Sequence, residues 1–289
     1  MKIETKEFLV AEGKKLDLRK RPTRCVVCES KDQYKEVLAD HVKQLEEVQQ
    51  LLYGANQYAL LVVFQGMDAA GKDGAIRHVM SGVNPQGCEV TSFKQPSAEE
   101  LEHDFLWRAE LKLPGRGRIG IFNRSYYEEV LVTRVHPELI AHEGLAERAA
   151  RGKEFWRDRY HSIVQLEKHL HRNNTRVVKI FLHLSKEEQK QRFLARIDDP
   201  AKNWKFSEAD IQERKYWKDY QRAFAECLQA TSTTHAPWYA VPADDKESAR
   251  LIVSQIVVDA LKAMKMSYPR VSPERKKQLL AIRKELENQ

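Results

Sequence analysis

The chain has 289 residues, 42% hydrophobic and 31% charged, which suits one large α/β domain or at most two smaller ones. No apolar run approaches the roughly 18 residues that span a bilayer, and the opening MKIETKEF has no basic stretch backed by an apolar one. Four cysteines are too few for a disulfide scaffold, so membrane insertion and Sec export are disfavoured and a reducing cytoplasm is expected. Forty-nine Lys and Arg against 42 Asp and Glu leave a net charge of +7, which suits an anionic partner: nucleic acid, nucleotide or polymeric phosphate.

Residues 1 to about 29 are charged with little periodicity and read as an arm. From Ser30, an N-cap with Gln33 three residues on, apolar positions recur at helical spacing (Tyr34, Val37, Leu38, Val42, Leu45, Val48, Leu52) until Gly54. YALLVVF (58–64) is a continuous apolar run of strand length, the pattern of a strand buried on both faces. A helix from about Lys72, a strand near Glu89–Phe93 and a helix opening on the box Ser97-x-x-Glu100 follow, then strand 118–122 and a long charged helical stretch ending near Asn173. VVKIFLHL (177–184) is a second buried strand. A helix spans about 186–197, a loop 198–206, and a helix capped by Ser207 with Asp210 runs to about Ala230; the strand WYAV and a helix from Asp245 to Met264 close the pattern. Trp204, Trp217 and Trp238 read as packing residues, and 265–289 as an amphipathic appendage.

This alternation predicts an α/β three-layer fold with a mostly parallel five-stranded sheet, a helical lid and an N-terminal helical arm. The expected divisions are an arm and helix over 1–56, a core over 57–265 with the lid at about 186–210, and a helical tail over 266–289.

Eight of the 12 glycines fall between residues 66 and 120, concentrating backbone freedom there. Gly66-Met67-Asp68-Ala69-Ala70-Gly71-Lys72 is G-x-x-x-x-G-K, set after a buried strand and before a helix. Glycines at both ends let successive N–H groups turn inward, the helix N-terminus adds its positive dipole end, and a lysine neutralises phosphate oxygens. The residue after the lysine, usually a metal-binding Ser or Thr, is Asp73. Asp68 and Asp73 beside a polyphosphate imply a bridging divalent metal; Asp73 is equally accounted for as a first-turn acid on the helix dipole. Asp68 could also accept a proton from an attacking phosphate.

Asn123, Arg124, Glu128 and Glu129 lie just past the end of the 118–122 strand, where open α/β sheets bind ligands. Asn123 is a neutral amide where an acid is usual, so metal binding leans on Asp68 with Glu129, while Arg124 offers a fork for phosphate oxygens. Glu128 and Glu129 also fit a charged first helical turn. Arg192 and Arg196, four apart on one helix, lead into a loop with Lys202 and Lys205, the pattern of a basic flap closing over a phosphoryl group or of a solvated helix face. Lys94 at another strand end suits a second anion or plain solvent. Cys25-x-x-Cys28 lacks a second pair for zinc, and His169 and His171 cannot share a helix face.

GMDAAGKDG, NPQGCEVTSFKQP, HDFLWR, IFNRSYYEEVLVTRVHP, RFLARIDDPAKNWKFS and APWYAVPADDK, in that order over about residues 30–265, resemble the polyphosphate kinase 2 family. The resemblance implies a P-loop kinase fold and Mg²⁺-dependent transfer (Mn²⁺ substituting) of the terminal phosphate of inorganic polyphosphate to AMP or ADP. YEEVL is similar to the subgroup that accepts both. It further implies roles for Asp68 in metal binding and acceptor activation, for Lys72 and Arg124 in holding the transferring phosphate, and for Arg192 and Arg196 in the lid. Gly66, Ala69, Ala70, Gly71, Asp73, Lys94, Asn123 and Glu128 complete the expected substrate contacts, and Asp68, Asp73 and Glu129 the metal set. Adenine and guanine nucleotides and a homo-oligomer, dimer or tetramer, are expected, with no nucleic-acid or membrane partner. An ATP-dependent, thymidylate-kinase-like nucleoside monophosphate kinase is the alternative enzyme, since a phosphate loop alone does not identify the donor. A basic nucleic-acid binder is the non-enzymatic one, though no RNA or DNA motif is present.

Overall fold

A computed structural model describes residues 3–146, 148, 150, 152–201 and 203–289. Five strands, β1 (Ala59–Gln65), β2 (Cys88–Ser92), β3 (Ile119–Asn123), β4 (Thr175–His183) and β5 (Trp238–Pro242), form one sheet in the order β2-β3-β1-β4-β5. Every pairing is parallel, so the sheet is wholly parallel.

All seven residues of β1 are buried, as its unbroken apolar run requires of a central strand covered on both faces. Side chains alternate across it. Leu60, Val62 and Phe64 join a core with α1 (Lys31–Ala55), α2 (Lys72–Val79) and α10 (Lys246–Lys262). Leu61 and Val63 join the opposite core with α5 (Glu128–Val135), α6 (Lys153–Arg172) and α9 (Trp217–Thr231). This is a three-layer α/β sandwich.

The remaining helices are α3 (Ala98–Leu101), α4 (Trp107–Glu110), α7 (Lys186–Asp198), α8 (Glu208–Glu213) and α11 (Pro273–Glu287). The Ser97–Glu100 capping box forms in both directions yet opens a single turn, α3. The long helical stretch before Asn173 is interrupted, because Pro137 has no N–H to donate and begins a 3-10 segment (Pro137–Glu143) between α5 and α6. The helix after Ser207 is broken at Arg214–Tyr216. Ser207 Oγ accepts the Ala209 N–H, and the Asp210 carboxylate takes a backbone hydrogen bond from Ser207 and also faces Arg196 at 3.5 Å.

The arm is more ordered in its packing than its composition suggests. Ile3, Phe8, Val10 and Leu18 are buried, and Val10 N–H donates to Trp238 O beside a Leu9–Tyr239 bridge, which covers the β5 edge. Trp238 is fully buried, whereas Trp204 is 72% exposed. α11 has no buried residue. Among the described residues no helix is long and apolar enough to cross a membrane.

Candidate active site

β1 pairs with β3 on one side and β4 on the other, so the segments leaving the carboxyl ends of β1 and β3 lie side by side. The segment after β1 is the glycine loop. A Cβ on Gly66 would come within 3.0 Å of both Ala70 Cβ and Leu182 O, and Gly71 has φ 101°; both positions need glycine. Ala69 takes a left-handed backbone at φ 60°, a strain held by its surroundings. Lys72 opens α2 and folds back, its Nζ donating to Gly66 O at 2.7 Å and Met67 O at 3.3 Å. Burial, then the Arg124 charge, push the Lys72 pKa down against the attraction of Asp68, Glu128 and Asp73.

The segment after β3 turns sharply. Arg124 is left-handed (φ 64°) and donates its N–H to Phe64 O at 3.0 Å. Its Nη2 donates to Asp68 Oδ1 at 2.8 Å, and its Nη1 lies 3.8 Å from Glu128 Oε2. Partial burial works against this charge, but Glu128 and Asp68 outweigh it and hold the guanidinium pKa above its ordinary value. Asn123 Nδ2 donates to Asp73 Oδ1 at 2.7 Å. The two strand ends are thus tied twice through carboxylates of the loop.

Arg124 and Glu128 also stand at the edge of a cavity of about 350 Å³, walled by Phe93, Lys94, Pro96, Val132 and Leu139 among others. Its polar wall is built around Arg108, which donates to Glu129 Oε1 at 3.0 Å and to Lys94 O at 2.8 Å. Burial, with Glu143 next to it, raises the Glu129 pKa to about 7 against the pull of Arg108 and Arg159. A mostly apolar cleft with a few convergent polar groups, opening beside a phosphate loop, suits a nucleotide-sized ligand.

A family model described as polyphosphate kinase 2 matches residues 28–269. The chain belongs to the polyphosphate kinase 2 family. It is 60% identical, over 99% of both chains, to an ADP-polyphosphate phosphotransferase of Rhodopseudomonas palustris. It is 43% identical to an AMP/ADP-polyphosphate phosphotransferase of Meiothermus ruber, over 81% of this chain and 83% of that one. The crystal structure of polyphosphate kinase 2 from Arthrobacter aurescens TC1 superposes with a TM-score of 0.84 at 37% identity, covering 95% of each chain.

On this polyphosphate kinase 2 scaffold the structure brings together Gly66, Asp68, Ala69, Ala70, Gly71, Lys72, Asp73, Asn123, Arg124 and Glu128, with Lys94 across the cavity. Two of the expected site residues have other partners in this structure. Arg192 is buried, and its Nε, Nη1 and Nη2 are all engaged: Nε with Glu188, Nη1 with Ala69 O (2.9 Å) and Ala70 O (3.1 Å), Nη2 with Ala243 O and Asp244 O. It staples the glycine loop from outside. Glu129 is bound to Arg108 in the cavity wall, while Asp68 is bound to Arg124. Arg196 lies 3.5 Å from Asp210; Lys202 is outside the described residues, as is the side chain of Lys205.

Sequence reasoning missed Gln189, which donates to Asp68 O at 3.0 Å, and Arg108. It also missed the site-facing Asp210, whose pKa is raised by burial and then by Asp68, with Arg196 and Arg124 opposing. The spacing Gln189-x-x-Arg192 on one helix face was the available signal.

Phosphotransferases of this family are generally metal-dependent. Asp68 and Asp73 supply hard oxygen donors at the loop, and no three His, Cys, Asp or Glu side chains form a ready cage among the described residues. An open site of one or two carboxylates completed by phosphate and water fits a small divalent cation.

Proposed function

We propose that this chain transfers the terminal phosphate of inorganic polyphosphate to AMP and ADP, making ADP and ATP, with Mg²⁺ (or Mn²⁺) as its cation. The observation that carries the reading is Arg124: one side chain touches Asp68 of the phosphate loop and borders the nucleotide-sized cavity. A donor phosphate on the loop and an acceptor phosphate in the cavity mouth would therefore meet at one guanidinium. The names of the relatives, which specify ADP and AMP/ADP as acceptors, support the substrate class.

In this mechanism an oxygen of the acceptor's terminal phosphate attacks the end phosphorus of the polymer. One P–O bond forms, the bridging P–O bond behind it breaks, and the shortened chain leaves with the electron pair. Loop amides and Lys72 hold phosphate, Arg124 draws charge from the transferring group, and Asp68 orients the attacking oxygen. Asp68 and Asp73 would hold Mg²⁺, which when bound screens the repulsion between two anionic chains. Arg196, released from Asp210, is the lid cation available to close over them.

The test is a donor and acceptor matrix, offering polyphosphate or ATP to AMP, ADP, GMP and GDP. ATP formed from ADP and polyphosphate, with no ATP supplied, is expected; transfer from ATP alone would favour a thymidylate-kinase-like enzyme. Guanine acceptors, a cytoplasmic setting and a dimeric or tetrameric assembly belong to the same proposal, the last testable by light scattering of the full chain.

A further inference from the structure

Two consecutive tyrosines follow the strained Arg124 turn, and both are fully buried. Tyr126 and Tyr127 each donate a hydroxyl hydrogen to the same oxygen, Glu167 Oε1, at 3.0 and 2.8 Å. The other oxygen of Glu167 accepts from Lys179 Nζ at 2.6 Å, and Lys179 also donates to Tyr127 Oη (3.1 Å) and Thr231 O (2.7 Å). Glu167 on α6 and Lys179 on β4 are both 0% exposed. Thr231 Oγ1 accepts from Trp238 Nε1 at 2.9 Å, so the network joins β4, β5, α6 and α9 beneath the site.

Stability alone does not account for a charge pair in this place. Two apolar side chains of similar volume fill such a space without desolvating charges and are often as stable or more so. What they cannot do is accept two hydroxyls from one turn. The tyrosines sit between Arg124, whose left-handed backbone is held at its other end by Phe64 O, and Glu128, the first residue of α5. With both hydroxyls pinned, the rotation that would relax the turn is blocked.

We propose that Glu167, supported by Lys179, is a positioning residue for phosphoryl transfer, clamping Tyr126 and Tyr127 so that Arg124 faces the phosphate loop and Glu128 faces the cavity. This rests on the reading of that site as the phosphoryl-transfer centre. Small misplacements of a charge-stabilising group cost rate more than binding, so the clamp acts mainly on kcat.

The experiment compares the full-length chain with Tyr127→Phe and two double variants, Glu167→Leu/Lys179→Met and Glu167→Gln/Lys179→Met. Melting temperature, kcat and KM for ADP are read with polyphosphate as donor. An inactive parent would sink the functional reading, not the clamp. With an active parent, the Leu/Met variant, which leaves two buried hydroxyls and the Thr231 carbonyl without partners, is expected to melt below the parent and, at a temperature where it is fully folded, to lose about tenfold in kcat with KM for ADP little changed. The Gln/Met variant keeps a carbonyl for both hydroxyls and is expected to recover most of that loss. Parental kcat in a folded Leu/Met variant, or no recovery with Gln, would overturn the proposal. If neither double variant folds, Tyr127→Phe decides: a several-fold lower kcat supports the clamp and an unchanged one removes it.

Discussion

Arg124 Nη2 and Asp68 Oδ1 are 2.8 Å apart, an ion pair that ties the turn after β3 to the phosphate loop after β1. Each partner adjoins or occupies a left-handed backbone position, Ala69 at φ 60° and Arg124 at φ 64°. In the proposed mechanism a bound phosphate would compete with Asp68 for the fork, and the free protein would hold the arginine where the substrate needs it. Arg124→Lys keeps the charge and loses the planar fork; turnover is expected to fall about 100-fold with an unchanged circular dichroism spectrum. Turnover within a factor of about three of the parent would show that only a point charge is used there.

Arg192 separates two accounts of the helix it sits on. As a staple, its loss leaves the carbonyls of Ala69, Ala70, Ala243 and Asp244 without their donor. Arg192→Met is therefore expected to lower unfolding free energy by about 2–4 kcal/mol as well as activity. An arginine that only neutralised phosphate would lower activity and leave the urea midpoint alone. Arg196→Met, at a side chain paired only loosely with Asp210 at 3.5 Å, is expected to show that second pattern.

The contrast marks what sequence can and cannot carry. Tyr58–Phe64 and Val177–Leu184 announce central strands because a continuous apolar run has few other uses, and the glycine loop is legible because its spacing is a backbone requirement. Arg192 is four residues from Arg196 and chemically identical. Which one faces carbonyls and which faces the site depends on how α7 seats against the loop, a tertiary fact with no local signature. Phe8 and Leu18 are similar: they bury in the two cores from a segment without periodicity. Glu129 follows Glu128 by one residue, and the helical turn that sends one to Arg124 and the other to Arg108 appears only once α5 is known to begin there.

Two buried histidines make stability depend on acid. His41 on α1 meets Ser254 on α10 with Nδ1 and Oγ 2.7 Å apart, and His183 Nε2 lies 3.1 Å from Leu18 O in the arm. Burial pushes both pKa values below the ordinary histidine value of about 6.5. Asp40 and Asp259 beside His41, and Asp244 beside His183, offset this in part. Below that value the unfolded chain takes up protons that the folded chain refuses. Stability is therefore full above about pH 6.5 and is lost as pH falls through the folded pKa values. Glu129, with its pKa raised to about 7, works the other way, stabilising the fold as pH falls, so the histidine share is read as a difference: between pH 7.5 and 5 the urea midpoint of His41→Gln should fall less than that of the parent. Parallel midpoint curves for parent and His41→Gln would mean that His41 is protonated as easily folded as unfolded.

The Arg108–Glu129 pair can be tested against the metal role that sequence assigned to Glu129. Both side chains are buried in the cavity wall, 3.0 Å apart. Removing the arginine strands a carboxylate, so Arg108→Met is expected to cost about 3–5 kcal/mol in unfolding free energy and to raise KM for the nucleotide. Glu129→Gln keeps an acceptor for Arg108 at nearly the same volume and should cost less. The discriminating readout is the Mg²⁺ concentration giving half-maximal activity. A wall residue leaves it unchanged in Glu129→Gln, whereas Asp68→Asn and Asp73→Asn remove a hard oxygen charge from the loop and should raise it or abolish activity. If Glu129→Gln shifted the Mg²⁺ requirement as far as Asp73→Asn did, Glu129 would have to swing away from Arg108 during turnover, and the cavity wall would be part of the metal site.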